Sequence, residues 1–83
     1  MTVQVQLTAE QRRGVIVDAG VKLAIDLGLC KVRHVAVAES CAVGTSVATV
    51  RWYFRTNTEL WAAIARATDD EVVRLDAQRI GLL

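Results

Sequence analysis

Apolar residues recur at steps of three and four between residues 9 and 27, which is the spacing of one face of an α-helix. That stripe consists of Val15 or Ile16, Ala19, Leu23 and Leu27. In front of it, Thr8 and Gln11 stand three residues apart, like the hydroxyl and the amide of a capping box. Gly28 follows the stripe, where a helix favours a left-handed residue. The pattern predicts a helix from Ala9 to Leu27.

The segment from Lys31 to Ala38 is compatible with two structures. Its valines alternate with other residues, as they do in a β-strand. In a helix, Val35, Ala38 and Ala42 would share the inner side. A single strand needs a partner, and only the first few residues of the chain alternate in a similar way. We therefore expect a helix.

A short helix with one polar side is expected after Gly44. The glycine supplies a tight turn, and Thr45 or Ser46 can cap the helix that follows. The apolar side of this helix carries Val47, Val50 and Phe54. The residues that lie away from that side are Ser46, Thr49, Arg51, Trp52 and Tyr53.

Thr56 and Glu59 repeat the capping-box spacing in front of a final apolar stripe. The residues predicted to face inward are Leu60, Trp61, Ile64, Ala67, Val72 and Leu75, with Arg79 as a further candidate. The last helix can break near Asp69 and Asp70. The chain is thus predicted to be all-α, a small bundle of about four helices. Two short helices, joined by a glycine turn under a long first helix, form a helix-turn-helix.

This pattern divides the chain into a flexible arm over residues 1–8, a helix-turn-helix domain over 9–66 and a helical tail over 67–83, a possible dimerisation element. The 83 residues are 53% hydrophobic and 23% charged, enough for one small core. No apolar run approaches the roughly 18 residues of a membrane span. The start lacks the basic-then-apolar order of a signal peptide, so we expect a cytoplasmic protein.

Side chains suited to catalysis are few. Cys30 and Cys41 lack the spacing of a zinc site, and we expect them to be two small buried hydrophobes. His34 has no partner that spacing would assign to it and is expected in the core. The acids at 69–71 diverge along a helix and would make a poor metal cage. The sequence predicts no enzyme, no cofactor and no metal.

Charge is unevenly distributed along the chain, although the net charge is only +1. Up to residue 66, eight basic residues and five acids give 8 − 5 = +3. From residue 67 onward, two basic residues and four acids give 2 − 4 = −2. A mildly basic front is compatible with DNA binding but is weak evidence by itself.

The segment from Gly44 to Trp61, GTSVATVRWYFRTNTELW, resembles without a gap the recognition-helix region of tetracycline-repressor (TetR) family regulators, typically GVSKGTLYHYFPSKEALL. The first helix is similar too, since IVDAGVKLAIDLG from residue 16 to 28 follows ILDAALELFAEKG. Val37-Ala38-Glu39 matches the IAE of the second helix. The resemblance covers about residues 12 to 66 and implies a homeodomain-like helix-turn-helix that binds DNA.

Four features depart from that family pattern. Two more residues stand between Ala38 and Gly44 than in the family. Ala24 replaces an aromatic residue of the first helix, and Asn57 replaces a lysine near the start of the fourth. In the family, a large ligand-binding and dimerising domain follows the fourth helix, whereas only residues 67–83 follow that region here. We expect either a fragment or a compact relative without a small-molecule inducer site.

A second resemblance covers a shorter span. The segment SVATVRWY, from Ser46 to Tyr53, is similar to the SVRTLRYY helix of MerR-type regulators and excisionases. The glycine-containing wing of those proteins does not follow it here, and a long capped first helix is not typical of them. Both resemblances make the same segment the DNA reader.

Reading of bases requires polar side chains that reach the major groove. The candidates for base contacts are Ser46, Val47, Thr49, Arg51 and Trp52. Arg51 can donate two hydrogen bonds to guanine. Val47 can meet a thymine methyl group or pack in the turn, and Trp52 can abut the sugar-phosphate backbone or fill the core.

Contacts to phosphates are expected on both sides of this helix. The candidates are Arg33, Thr45, Tyr53, Thr56, Asn57 and Thr58. Arg33 stands near the start of the second helix, where a phosphate can be gripped. The TetR resemblance implies the phosphate contact of Tyr53, and residues 56–58 surround a helix start that they also cap. Arg12 and Arg13 are expected on a solvated face unless the arm lies over DNA.

The sequence therefore predicts a sequence-specific double-stranded DNA-binding protein, a repressor-like transcriptional regulator with residues 46–52 as its recognition helix. We expect a homodimer on a near-palindromic site, because a single unit makes few contacts. The candidate dimer surface comprises Leu60, Ile64, Val72, Leu75, Leu82 and Leu83. The rival hypothesis is a protein-interaction adaptor that keeps the helix-turn-helix as a scaffold, which the low net charge favours.

Overall fold

The computed structural model of the protein describes residues 7–41 and 44–83. These residues form five α-helices and no strand: α1 (Ala9–Leu27), α2 (His34–Ser40), α3 (Val47–Tyr53), α4 (Asn57–Ala67) and α5 (Glu71–Arg79). A 3-10 turn over Leu29–Lys31 joins α1 to α2. The all-α prediction is confirmed, and so is the choice of a helix for the valine-rich segment. Most of the arm predicted over residues 1–8, and Ala42, lie outside the described residues.

Helix α1 begins and ends where its sequence predicts. The Thr8 hydroxyl accepts a hydrogen bond from the Gln11 backbone N–H at 3.1 Å, and the Gln11 side chain accepts one from the Thr8 N–H at 2.9 Å. At the other end Gly28 has φ 99° and ψ 145°. The positive φ confirms that glycine is needed there, but the extended ψ differs from the left-handed helical conformation that was predicted.

The buried side of α1 is rotated from the predicted stripe. Its buried residues are Ile16, Val17, Ala19, Gly20 and Ala24, whereas Leu27 is 54% exposed. The rotation arises because α4 crosses α1 at Gly20. A Cβ on that glycine would lie 2.7 Å from Cδ1 of Ile64, closer than two non-bonded carbon atoms approach. The small residues of α1 thus admit α4, and the larger Leu27 lies outside this contact.

Helix α2 turns a different side inward from the predicted one. His34, Val37 and Ala38 are buried, while Val35 is 48% exposed, so its predicted inward position is wrong. The histidine ring sets this orientation because its Nε2 lies 2.6 Å from the Phe54 carbonyl oxygen. With residue 34 inside, residues 37 and 38 follow at helical spacing and residue 35 points away.

The final apolar segment is two helices, α4 and α5, with the break near Asp69–Asp70 that the sequence allowed. The Thr68 hydroxyl accepts from the Asp70 N–H, and the Asp70 carboxylate caps α5 by accepting from the Val73 N–H at 3.1 Å. At the start of α4, Thr56 caps the Glu59 N–H as predicted. The Glu59 carboxylate, however, accepts from the Arg55 N–H rather than from Thr56.

The break changes which side of α5 is buried. Val73 and Ala77 face the core, whereas Val72, Leu75 and Arg79 are exposed, contrary to the prediction. Because residues 68–70 interrupt the helix, α5 does not continue the rotation of α4. Earlier in the segment, Leu60 and Ile64 are buried and Trp61 is half-buried, as expected for an inner face, while Ala67 is exposed. Because Leu60 and Ile64 are fully buried within the protein, their predicted place in a dimer surface is wrong.

One cysteine prediction is also corrected. Cys41 is half-buried against the core, but Cys30 is exposed. In the 3-10 turn, Leu29 and Val32 occupy the inner side three residues apart, and both are fully buried. Cys30 lies between them on the outer side of the turn.

Candidate nucleic-acid interface

Helices α2 and α3 pack against each other and are separated by the six residues 41–46. Helix α3 begins with a side-chain cap, because the Ser46 hydroxyl accepts a hydrogen bond from the Thr49 N–H at 3.1 Å. The same hydroxyl lies 2.9 Å from the Thr49 hydroxyl. Two of the predicted base-contacting side chains are therefore held side by side at the start of α3.

The inner side of α3 anchors it to the protein. Val50 is fully buried and Phe54, directly after the helix, is 3% exposed. Val47 and Tyr53 are partly buried and pack against the core. The Arg13 guanidinium of α1 lies 5.0 Å from the centre of the Phe54 ring, within the range of a cation–π contact. The predicted apolar side of this helix is confirmed, and Val47 belongs to it.

The outer side of α3 carries Arg51 and Trp52 as the pattern predicted, whereas Tyr53, which was expected to lie away from the apolar side, packs partly against the core. Arg51 is exposed, and Trp52 is the most exposed large apolar residue in the described parts of the chain, at 74%. The Trp52 and Tyr53 rings meet edge to face, with centroids 4.9 Å apart. Trp52 does not fill the core, so of its two predicted roles only the surface one fits.

Two hydrogen bonds between side chains and backbone carbonyls tie α2 and the segment before it to α3 and α4. His34 Nε2 lies 2.6 Å from the Phe54 carbonyl and so joins the start of α2 to the end of α3. Trp61 donates from Nε1 to the Val32 carbonyl at 2.8 Å, which joins α4 to the segment before α2. His34 is 7% exposed, and the expectation of a core histidine is confirmed.

Arg12 of α1 lies beside the outer side of α3, a placement that the sequence did not predict. It lines a shallow surface depression together with Ala48, Thr49, Trp52 and Tyr53. Its position depends on where the fold places α1 relative to α3, which no spacing within either helix reveals. The depression thus combines one cation, one hydroxyl and an exposed indole on a single surface.

A second depression lies on the other side of Tyr53. Its charged and hydroxyl-bearing lining residues are Arg13, Tyr53, Thr58, Glu59 and Arg66. Two of the predicted phosphate-contacting residues, Tyr53 and Thr58, are brought together here. Arg13 was expected on a solvated face unless the arm lies over DNA, and Arg66 was not a candidate. The two come from different helices, and only the packing of α1 against α4 makes them neighbours.

The remaining predicted phosphate-contacting residues are distributed over separate places. Arg33 is exposed directly before α2 and lines neither depression. Thr45 and Asn57 are half-buried, and Thr56 is exposed with its hydroxyl engaged in the α4 cap. The Glu59 carboxylate also lies at this helix start, where its charge disfavours a phosphate.

Metal-ligand clusters and membrane-spanning helices were sought in residues 7–41 and 44–83. This part of the chain contains no group of three or more His, Cys, Asp or Glu side chains that could hold a metal ion. No helix within it has the length and apolar character required to span a bilayer. Comparisons of the chain with protein-family models, with curated proteins and with solved structures gave no match.

Proposed function

We propose that this protein binds double-stranded DNA in a sequence-specific manner and that α3 lies in the major groove. The observation that carries the proposal is the two-sided character of α3. Val50 and Phe54 are buried on one side, while Arg51 and Trp52 are exposed on the other. A helix anchored by its apolar side and carrying a guanidinium on its free side has the properties required of a major-groove reader.

Each side chain on this surface has a chemical role in the proposal. Arg51 donates two hydrogen bonds to O6 and N7 of a guanine. The paired hydroxyls of Ser46 and Thr49 contact base edges or a phosphate. Trp52 packs its indole against sugars of the backbone, and Arg12 neutralises a phosphate from the neighbouring depression.

The predicted biological role is that of a transcriptional regulator working in the cytoplasm as a homodimer. The net charge of +1 provides little general attraction to DNA, so one unit alone binds weakly. Two units on a near-palindromic site add their contacts. The TetR resemblance of residues 12 to 66 supports the same role, with residues 46–52 as the recognition helix.

Selection of bound sequences from a pool of random duplexes tests this proposal. We expect enrichment of a short motif repeated with two-fold symmetry. The same selection with Arg51→Ala should lose preference at one guanine in each half-site while the other positions persist. A wild-type protein that enriches no motif at low salt would refute sequence-specific binding.

An interaction with another protein is the second candidate function, and the exposure of Trp52 favours it. An indole with 74% of its surface free is typical of a protein-interface anchor as well as of a DNA contact. Tryptophan fluorescence separates the two functions, since Trp61 is half-buried and Trp52 is free. If duplex DNA quenches the tryptophan fluorescence of the wild-type protein but not that of Trp52→Phe, the result favours DNA binding over protein interaction.

A further inference from the structure

Helix α5 exposes an apolar strip on the side opposite its buried residues. Val73 and Ala77 are buried at 1% and 0%, whereas Val72 and Leu75 are 67% and 49% exposed. At 100° per residue, Leu75 points directly away from the midpoint between the two buried side chains. Two more exposed apolar residues, Ile80 and Leu83, follow the helix. The described part of the chain leaves this strip uncovered.

We propose that the strip is covered by α5 of a second copy of this chain, packed antiparallel about a two-fold axis through Leu75. In such a contact Leu75 meets its own counterpart, and Val72 lies at the level of Gln78 from the second copy. A two-fold interface requires that a surface complement itself. The sequence of α5 satisfies that requirement.

The charges of α5 select the antiparallel arrangement. Glu71 precedes Leu75 by four residues and Arg79 follows it by four, so each lies about 6 Å along the axis from the centre. When two copies are antiparallel, each Glu71 lies level with Arg79 of the other copy. A parallel pair would instead place like charges level with each other. The helix dipoles also favour the antiparallel pair.

The local contacts leave this surface available. Arg74 is turned toward the start of the helix, where its guanidinium donates to the Thr68 carbonyl at 3.3 Å. Arg79 makes an ion pair with Asp76 at 3.8 Å, and its side chain remains 77% exposed. So loose an exposed pair contributes little and can be exchanged for Glu71 of a second copy. Glu71, Arg74, Leu75 and Gln78 line a shallow depression that receives the opposing leucine.

This interface is small, so the dimer is weak in the absence of DNA. Few apolar side chains per copy lie in the contact, which puts it at the low end of specific interfaces. We expect a dissociation constant on the order of 10 μM. The role of the dimer rests on the proposed function, because a two-fold DNA site would hold both copies together and compensate for their weak affinity.

Sedimentation equilibrium of two charge-reversal variants without DNA tests this inference. In the Glu71→Arg variant, two basic side chains, one from each copy, face each other at each end of the contact. In the Arg79→Glu variant, two acidic side chains face each other at each end. Each variant should dimerise about tenfold more weakly than wild type. An equimolar mixture should regain wild-type association, because opposite charges then meet at both ends. The double variant Glu71→Arg/Arg79→Glu should also dimerise.

The outcomes separate this inference from the proposed function. A wild-type protein still monomeric at about a hundredfold the expected dissociation constant would overturn the α5 interface. A mixture that associates no better than the single variants would overturn the antiparallel arrangement, as would a Leu75→Arg variant that dimerises normally. Circular dichroism identifies any variant that fails to fold. If the charge-reversal variants and their mixture associate as expected but the wild-type protein selects no DNA motif, only the DNA-binding proposal is refuted.

Discussion

The α1–α4 pair and helix α3 are held in the protein in different ways. Helices α1 and α4 have 19 and 11 residues and make the most extensive contact between any two helices of the described chain. They approach so closely that Ile64 occupies the space of a missing Cβ at Gly20. Helix α3 has seven residues, of which only Val50 is buried, and it packs chiefly on α2.

This difference indicates that the α1–α4 pair stabilises the fold, whereas α3 presents exposed side chains at the surface. The burial of large apolar side chains such as Ile16, Leu60 and Ile64 on α1 and α4 contributes directly to the small free energy of unfolding that such a domain has. Helix α3 adds only Val50 to the fully buried core, and its outer side carries the exposed residues Arg51 and Trp52. Its orientation depends on a few specific contacts, among which the His34–Phe54 hydrogen bond is the shortest.

The largest effect is expected from Ile64→Ala. Ile64 is fully buried where α1 and α4 cross, and removing its side chain leaves a cavity. The free energy of unfolding should fall by about 2–5 kcal/mol, measured by urea denaturation. The matched control is Ile25→Ala, because Ile25 is on α1 but 52% exposed, and its loss should cost far less. Equal losses in the two variants would contradict the central position of this contact.

A smaller and more local effect is expected from His34→Ala. This substitution leaves the Phe54 carbonyl without its buried partner, a loss of about 1–3 kcal/mol. Because the bond ends on α3, amide hydrogen exchange should accelerate at Val50 and Phe54 more than at residues of α1. His34→Gln, whose amide can still donate, should restore part of the protection. Uniform acceleration throughout the protein would show that α3 is not a separately stabilised element.

The smallest effect on stability is expected from Gly20→Ala. The added methyl group gains up to about 1 kcal/mol of helix propensity but collides with Ile64, which costs about 1–3 kcal/mol. Thermal unfolding should therefore show slight destabilisation. The double variant Gly20→Ala/Ile64→Val should lose less stability than the sum of its single variants, because the clashing Cδ1 is gone. Strict additivity would mean that the two residues do not share this space.

The ends of the helices were predictable because local side chains determine them. Thr8, Ser46 and Thr56 each cap the helix that follows, and each interaction joins residues three positions apart. Such bonds depend on neighbours in the sequence and not on the fold. The break before α5 was also visible in advance, since Asp70 is a residue type that favours a cap.

The buried sides were harder to predict because distant residues determine them. Leu27 and Val35 were expected inside but are exposed, since Gly20 admits Ile64 and His34 reaches Phe54. The placement of Arg12 beside Trp52 likewise depends on a contact between elements far apart in the chain. Periodicity identifies which residues share a side of one helix, but not the angle at which another helix crosses it.

The candidate site shows the same division. The two sides of α3 followed from its spacing, and Val50 and Arg51 lie where the pattern predicted. The arginines from α1 and α4 that surround Tyr53 were not predicted, because each comes from a helix that spacing alone leaves unplaced. A surface assembled from several helices becomes visible only once their packing is known.

The most direct test of the proposed function is the affinity of Arg51→Ala for the duplex that wild type selects, measured by fluorescence anisotropy. Lys22→Ala is the matched control, because it removes the same charge from an exposed position of α1 outside both depressions. We predict that Arg51→Ala loses about 1–3 kcal/mol of binding free energy on that duplex, and much less on a scrambled one. Equal, small losses for Arg51→Ala and Lys22→Ala on both duplexes would contradict the proposal that α3 reads DNA.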